Sequence, residues 1–386
     1  MFADRTHWSL EPNRLSAALD ARRSRGDLVL DLTASNPTTC GFQYDHEAIL
    51  RALADPAALT YAPDPRGLAT ARQAVAAYYA DLGAAAGVDG LFLAASTSEA
   101  YSWVFHTLCN PGDAVLVPAP SYPLFGFLAA LADVHLLRYP LVYDHGWQMD
   151  FHALEQALSP AARAVVVVHP NNPTGHYTRP EDARRLSELC AARGMAVIAD
   201  EVFFDFALGE SRDPRPRSFA GNSAALTFTL SGLSKICGLP QMKASWLAVS
   251  GPDWLKAEAC ARLEVIADTY LSPSAPVQLA LPALLALRAG FQRQVRERLA
   301  RNLAELDRRL ANHQTCSRLK VEGGWYAVVR VPATRPDEDL AVELLATRGV
   351  YIHPGHFYDF PSEGYVVVSL LTPERDFAEG IDALLG

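Results

Sequence analysis

Two lysines stand eight residues apart in the stretch SGLSKICGLPQMKASW, Ser231 to Trp246, within a chain that uses lysine sparingly. Lys235 follows a small Ser-Gly-Leu-Ser turn, and Lys243 precedes a run that reads as a buried strand. Three other polar groups occupy comparable places. VVVVH runs into Pro170-Asn171-Asn172-Pro173-Thr174-Gly175, MAVIA ends in Asp200-Glu201, and GLFLAA runs into Ser96-Thr97-Ser98-Glu99. Amine, amide, carboxylate and hydroxyl groups therefore follow four apolar runs. Each alone has a structural explanation: the Asn-Asn-Pro-Thr-Gly run as a turn, Ser96-Thr97-Ser98 as a helix cap, Asp200 as a solvated strand end and Lys235 as a surface lysine. Taken together they indicate a site, because ligands in open α/β sheets gather beyond the carboxyl ends of the strands.

The elements that must position these groups are legible. Runs beginning at Asp113, Ala164, Met195, Ala225 and Ser245 are short, β-branched and continuously apolar, which predicts strands covered on both faces, the parallel-sheet signature. TRPEDARRLSELCAARG predicts a helix capped by Thr178, with Pro180 near its first turn and Gly194 at its end. Strand, helix and strand at this rhythm make a βαβ core. After Pro276 a long helical stretch leads to GGWYAVVRV and YVVVSLL, which reads as a smaller α+β unit. The expected fold is α/β: a three-layer αβα large domain with a mostly parallel sheet over residues 45–275. Residues 1–44 and 276–386 form the small domain.

Composition narrows the function. The chain has 386 residues, half of them hydrophobic, and a formal net charge of −9. That balance argues against nucleic acid or an anionic membrane as partner. No apolar run is long enough to span a bilayer. The six cysteines are scattered, without metal-ligand or CxxC spacing, so the expectation is a cytoplasmic protein with no metal site.

The ordered series LTASNPT from Leu32, YAPDPRGLATARQAVAAYY from Tyr61, STSEAYSWVFHTLCNPGDAVLVPAPSYPLF from Ser96, HPNNPTG from His169, IADEVF from Ile198 and LSGLSKICGLPQMK from Leu230 resembles the class I/II aminotransferases over nearly the whole chain. These are pyridoxal-phosphate enzymes of fold type I. The resemblance implies that Lys235 is the Schiff-base lysine, which once displaced shuttles a proton at the substrate α-carbon. Asp200 would hold the proton on the pyridine nitrogen, and Asn172 would bond the ring hydroxyl. Tyr122 would stack on the ring face. Thr97 and Ser98, at a helix N-terminus, would seat the phosphate, aided by hydroxyls of Ser231 and Ser234 and by Lys243, which stands where the family usually has arginine. Tyr61 would reach the phosphate of a neighbouring subunit, so the implied assembly is a homodimer with shared active sites.

Two positions depart from the family pattern. Phe203 replaces a tyrosine that usually donates to the ring hydroxyl, and Val367 stands where an arginine usually grips the substrate carboxylate. Ser35, Asn36, Arg330 and Arg375 are the candidates for that second task. The implied reaction is ping-pong transfer of an amino group from an amino acid to a 2-oxo acid. The alternative is a C–S or other β/γ-lyase of the same fold.

Overall fold

The computed structural model describes residues 1–209, 216–271, 273–311 and 313–386. Eight strands form the main sheet: β1 (Leu91–Ala94), β2 (Ala114–Ala119), β3 (His135–Tyr143), β4 (Trp147–Met149), β5 (Ala162–Val168), β6 (Ala196–Asp200), β7 (Thr227–Gly232) and β8 (Ser245–Ser250). Their order is β1-β8-β7-β6-β5-β2-β3-β4. From β7 through β3 every pairing is parallel, whereas β8 is antiparallel to both of its neighbours and β4 to β3. The run from Ser245 is thus a buried strand of opposite sense. Burial on both faces fixes an apolar run but not its direction.

Alternation along the strands feeds two cores. Val166, Ile198, Phe228 and Leu230 pack with Trp103, Val104 and Phe105 of α1 (Thr97–Leu108). Val165, Val167, Val197 and Ala199 face the other way, in one cluster with Leu186 and Cys190 of α2 (Pro180–Arg193). Pro180 opens α2 and left-handed Gly194 closes it, but Thr178 is not its cap. That residue is buried and its N–H donates to His169 Nδ1 at 3.1 Å. A short α3 (Leu233–Ile236) follows β7, and α4 (Asp253–Tyr270) follows β8.

The C-terminal part carries a four-stranded antiparallel sheet in the order β9-β10-β12-β11, with β9 (Ser317–Arg318), β10 (Tyr326–Arg330), β11 (His353–Pro354) and β12 (Tyr365–Ser369). The helical stretch after Pro276 breaks at Leu287, giving Ala275–Ala286 and α5 (Arg288–Leu310); α6 (Glu374–Leu385) ends the chain. Leu30–Asp31 pairs in parallel with Val350–Tyr351, so the N-terminal segment is built into this part. Among the described residues no helix is long and apolar enough to cross a membrane.

Candidate active site

Register sets three of the polar groups side by side. Val168 pairs with Asp200 and Asp200 with Leu230, so the turns after β5, β6 and β7 emerge together at the carboxyl edge. Ser245, which opens β8, pairs with both Gly232 and Ala94. The turn before α1, the turn holding Lys235 and the turn holding Lys243 therefore share one corner of the sheet. Gly232 is required there, since a Cβ would overlap the Ser245 side chain and backbone.

Lys235 lies on α3 with its Nζ 4.9 Å from the centre of the Trp325 ring and 5.6 Å from that of Phe203. Burial pulls its pKa down to about 8, against the pull of the Asp200 charge. A neutral amine is thus well populated at mildly alkaline pH. Asp200 is buried and pushed up to about 6 by that burial, opposed by hydrogen bonds from the Val202 N–H and the Tyr101 hydroxyl and by the Lys235 charge. The Tyr101 bond is 3.1 Å long, and no cation among the described residues stands at ion-pair distance from Asp200. A buried carboxylate without a counter-charge is costly and calls for a cationic partner.

Asn172 is buried, and its Oδ1 has no hydrogen-bond partner. Beside it Asn171 donates to Pro120 O (3.1 Å) and Thr174 Oγ1 (2.9 Å) and accepts from Ser121 Oγ (3.1 Å). These bonds tie the turn after β5 to the segment carrying Tyr122, whose ring is partly exposed. At α1, Ser96 caps Glu99 N–H while Glu99 accepts from Ala95 N–H, a capping box that leaves the first-turn amides of Thr97 and Ser98 without side-chain caps. Lys243 is exposed, left-handed (φ 52°) and outside any ion pair among the described residues.

Other candidates fall elsewhere. Ser231 Oγ is fully buried and turns to the Glu201 carbonyl at 3.4 Å, leaving Ser234 as the freer hydroxyl of that turn. Asn36 spends its Oδ1 on Thr38, whereas Ser35 lies against the Tyr326 side chain. Arg330 sits at the outer end of β10 over the Tyr365 ring, and Arg375 is exposed on α6 beside Asp376 and Glu379. The structure brings neither arginine to the Lys235 cluster. Tyr61 stands exposed, apart from it within this chain. Tyr101, Trp325, Tyr326, His353 and Tyr358 were not singled out in the sequence, though the Gly-Gly pair before Trp325 is a usable signal. A Cβ on Gly323 would collide with Tyr177 and the Phe206 carbonyl. Among the described residues no cluster of His, Cys, Asp and Glu could hold a metal ion.

Residues 28–384 match the family "Aminotransferase class I and II". The chain belongs to the class I and II aminotransferases. It is 28% identical over 373 residues to alanine aminotransferase of Mycobacterium tuberculosis, covering 94% of this chain and 86% of that protein. It is 25% identical over 371 residues to glutamate-pyruvate aminotransferase AlaA of Haemophilus influenzae, covering 93% and 90%. The alanine aminotransferase structure from Pyrococcus furiosus superposes with a TM-score of 0.89 at 22% identity, over 99% of this chain and 98% of that one. This aminotransferase uses pyridoxal phosphate and transfers an amino group, and the named relatives favour transfer over the lyase alternative.

The residues present fit the cofactor. Asp200 lacks a cation that a ring nitrogen would supply, and Asn172 has a buried, unpartnered amide oxygen. Thr97, Ser98, Ser234 and Lys243 share the corner suited to a phosphate. When bound, pyridoxal phosphate supplies an aldehyde for amines and a ring that accepts electrons. Lys235 would offer the amine and, once displaced, a base for the proton at the substrate α-carbon. The Trp325 and Phe203 rings lie against that amine.

Proposed function

We propose that this aminotransferase works by ping-pong transfer between a monocarboxylic amino acid and a 2-oxo acid, with Lys235 and Asp200 as its catalytic residues. Tyr122, Asn172, Phe203, Thr97, Ser98, Ser234 and Lys243 line the cofactor. The observation that carries this reading is the pairing of a desolvated amine with a buried, uncompensated carboxylate at the ends of adjacent strands. Relatives named for alanine and for glutamate–pyruvate transfer support a small monocarboxylic partner such as alanine or pyruvate.

In this reading residues 45–275 bind the cofactor, and 1–44 with 276–386 form the small domain. The active unit is a homodimer in the cytoplasm. Leu59, Tyr61, Trp254, Val265 and Tyr270 are exposed; this apolar surface supports a second copy of the chain as partner, with Tyr61 of one protomer completing the phosphate site of the other.

Borohydride reduction of the cofactor-loaded protein, followed by peptide mass mapping, should place the cofactor on Lys235. Lys235→Ala should lower transfer by about 10⁴-fold, near the upper end of proton-transfer contributions. A label on any other lysine refutes the assignment. A donor–acceptor screen should find alanine with 2-oxoglutarate, or glutamate with pyruvate, above aspartate with either acceptor, and light scattering of the active species should give twice the chain mass.

A further inference from the structure

An amino acid held at Lys235 carries its carboxylate one bond from the reacting carbon, so the seat for that anion must lie within a few ångströms of the amine. The nearest wall not occupied by cofactor-directed residues is one face of the C-terminal sheet. Phe203, beside Lys235, meets the Tyr326 ring edge-on with centroids 6.2 Å apart. On β10 Tyr326 and Val328 point to the same face, two residues apart. Val367 pairs with Val328 and also with His353, and Ser369 pairs with Tyr326. The face turned toward Phe203 therefore carries Tyr326, Val328, Val367, Ser369 and His353; Arg330 shares the face but stands at its far end, exposed and laid over the Tyr365 ring.

The hydrogen-bonding groups at the Phe203 end of that face, and beside it, are uncharged. Ser369 is committed, donating to Ala34 O at 2.5 Å. His353 Nδ1 lies 3.0 Å from the Tyr358 hydroxyl. Tyr358 and Tyr326 are buried. Ser35 lies against the Tyr326 side chain. Backbone contact fixes the same cluster, since Ser121 N–H donates to Tyr358 O at 2.9 Å. Tyr326, beside Phe203, and Tyr358, whose backbone is bonded to the segment carrying Tyr122, thus bring two phenols here from separate segments.

We propose that Tyr326 and Tyr358, the latter oriented by His353, form an uncharged hydrogen-bonding seat for the substrate α-carboxylate. The inference rests on Lys235 being the reactive amine. A neutral His353 with its proton on Nδ1 donates to the Tyr358 oxygen and so turns the Tyr358 O–H outward, toward an acceptor. Tyr326, whose hydroxyl donates to no acceptor among the described residues, has its own O–H for the second carboxylate oxygen. Two phenol donors hold a carboxylate by hydrogen bonds to a charged acceptor, without the ion pair or the fork geometry of a guanidinium. His353 is a positioning residue here.

The test uses two amines that cannot complete transfer to an acceptor in the same way: 2-aminoisobutyrate, which has no α-hydrogen, and isopropylamine, the same skeleton without the carboxylate. Binding of each to cofactor-loaded protein is read from the change in visible absorbance. Tyr326→Phe and Tyr358→Phe should each weaken 2-aminoisobutyrate about tenfold, the loss expected for one hydrogen bond to a charged group. Isopropylamine should stay within about twofold. His353→Phe should match Tyr358→Phe, and His353→Gln, which keeps an N–H donor, should restore part of the loss. Unchanged 2-aminoisobutyrate binding in the double phenylalanine variant overturns the proposal, as does equal weakening of both amines, which marks a structural role. If neither amine alters the wild-type spectrum and borohydride leaves Lys235 unmodified, the reading of Lys235 itself fails and the seat falls with it.

Discussion

At the scale of single residues, Phe203 separates this protein from a pattern in which a phenol occupies the same place. Its ring is buried against Trp325 and Tyr326 and lies over the Lys235 amine. It supplies apolar surface where a hydroxyl could donate a hydrogen bond to the cofactor's ring oxygen. Removing such a donor leaves more negative charge on that oxygen, and a protonated linkage at Lys235 is then held more tightly. Phe203→Tyr should therefore move the visible-absorbance pH transition of the loaded protein downward by about one unit, corresponding to about 1.4 kcal/mol. A transition that stays put or rises in a spectral titration would contradict this. Asp200 and Lys235 were legible from sequence because Asp200 ends β6 and Lys235 stands three residues past β7. Tyr101 was not, because its bond to Asp200 joins residues 99 apart on different elements.

At the scale of elements, the turn bearing Lys235 is held by segments far away in sequence. Gln292 of α5 donates to the Ile236 carbonyl at 3.2 Å and to Asp205 at 3.0 Å, and Tyr44 donates to the Gly238 carbonyl at 2.9 Å. Gly238 is left-handed (φ 65°), and a Cβ there would overlap the Phe291 ring and the Tyr44 hydroxyl. Gly238→Ala should thus destabilise the protein by about 1–3 kcal/mol, the range for overpacking. It should also weaken cofactor retention, because α3 must shift; unchanged unfolding in urea and unchanged cofactor affinity would refute the clamp. The same non-local packing limits what sequence reveals. Periodicity located the strands, but not the reversed sense of β8 or the break at Leu287. Arg330, on the WYAVVRV strand, is one of the nearest cations in sequence to the last-strand motif, yet it stands four residues beyond Tyr326, at the far end of its strand. Tyr326, Val367 and His353 meet only through ladder register, which no local pattern encodes.

At the scale of the whole molecule, the centre carries one acid, Glu201, that burial keeps protonated at neutral pH. Burial pushes Glu201 up to about 8 from an ordinary 4.5, opposed by bonds from Ser218 and Phe219 and reinforced by the charges of Asp200 and Asp205. The folded chain then binds a proton that the unfolded chain has released across the window from about 4.5 to 8. Stability is accordingly lost as pH rises through it. Thermal unfolding of cofactor-free protein should show a lower Tm at about pH 8 than at about pH 6, and Glu201→Gln should flatten that slope. A wild-type Tm that climbs over the same range would refute it. The pairing of Leu30–Asp31 with Val350–Tyr351 spans most of the chain and has a consequence for biogenesis. At about 5–20 residues per second of synthesis, the first strand must wait some tens of seconds after leaving the ribosome before its partner emerges. During that interval Leu30 and Leu32 have no native neighbours, which makes the nascent amino-terminal arm a natural client for chaperones that shield apolar segments.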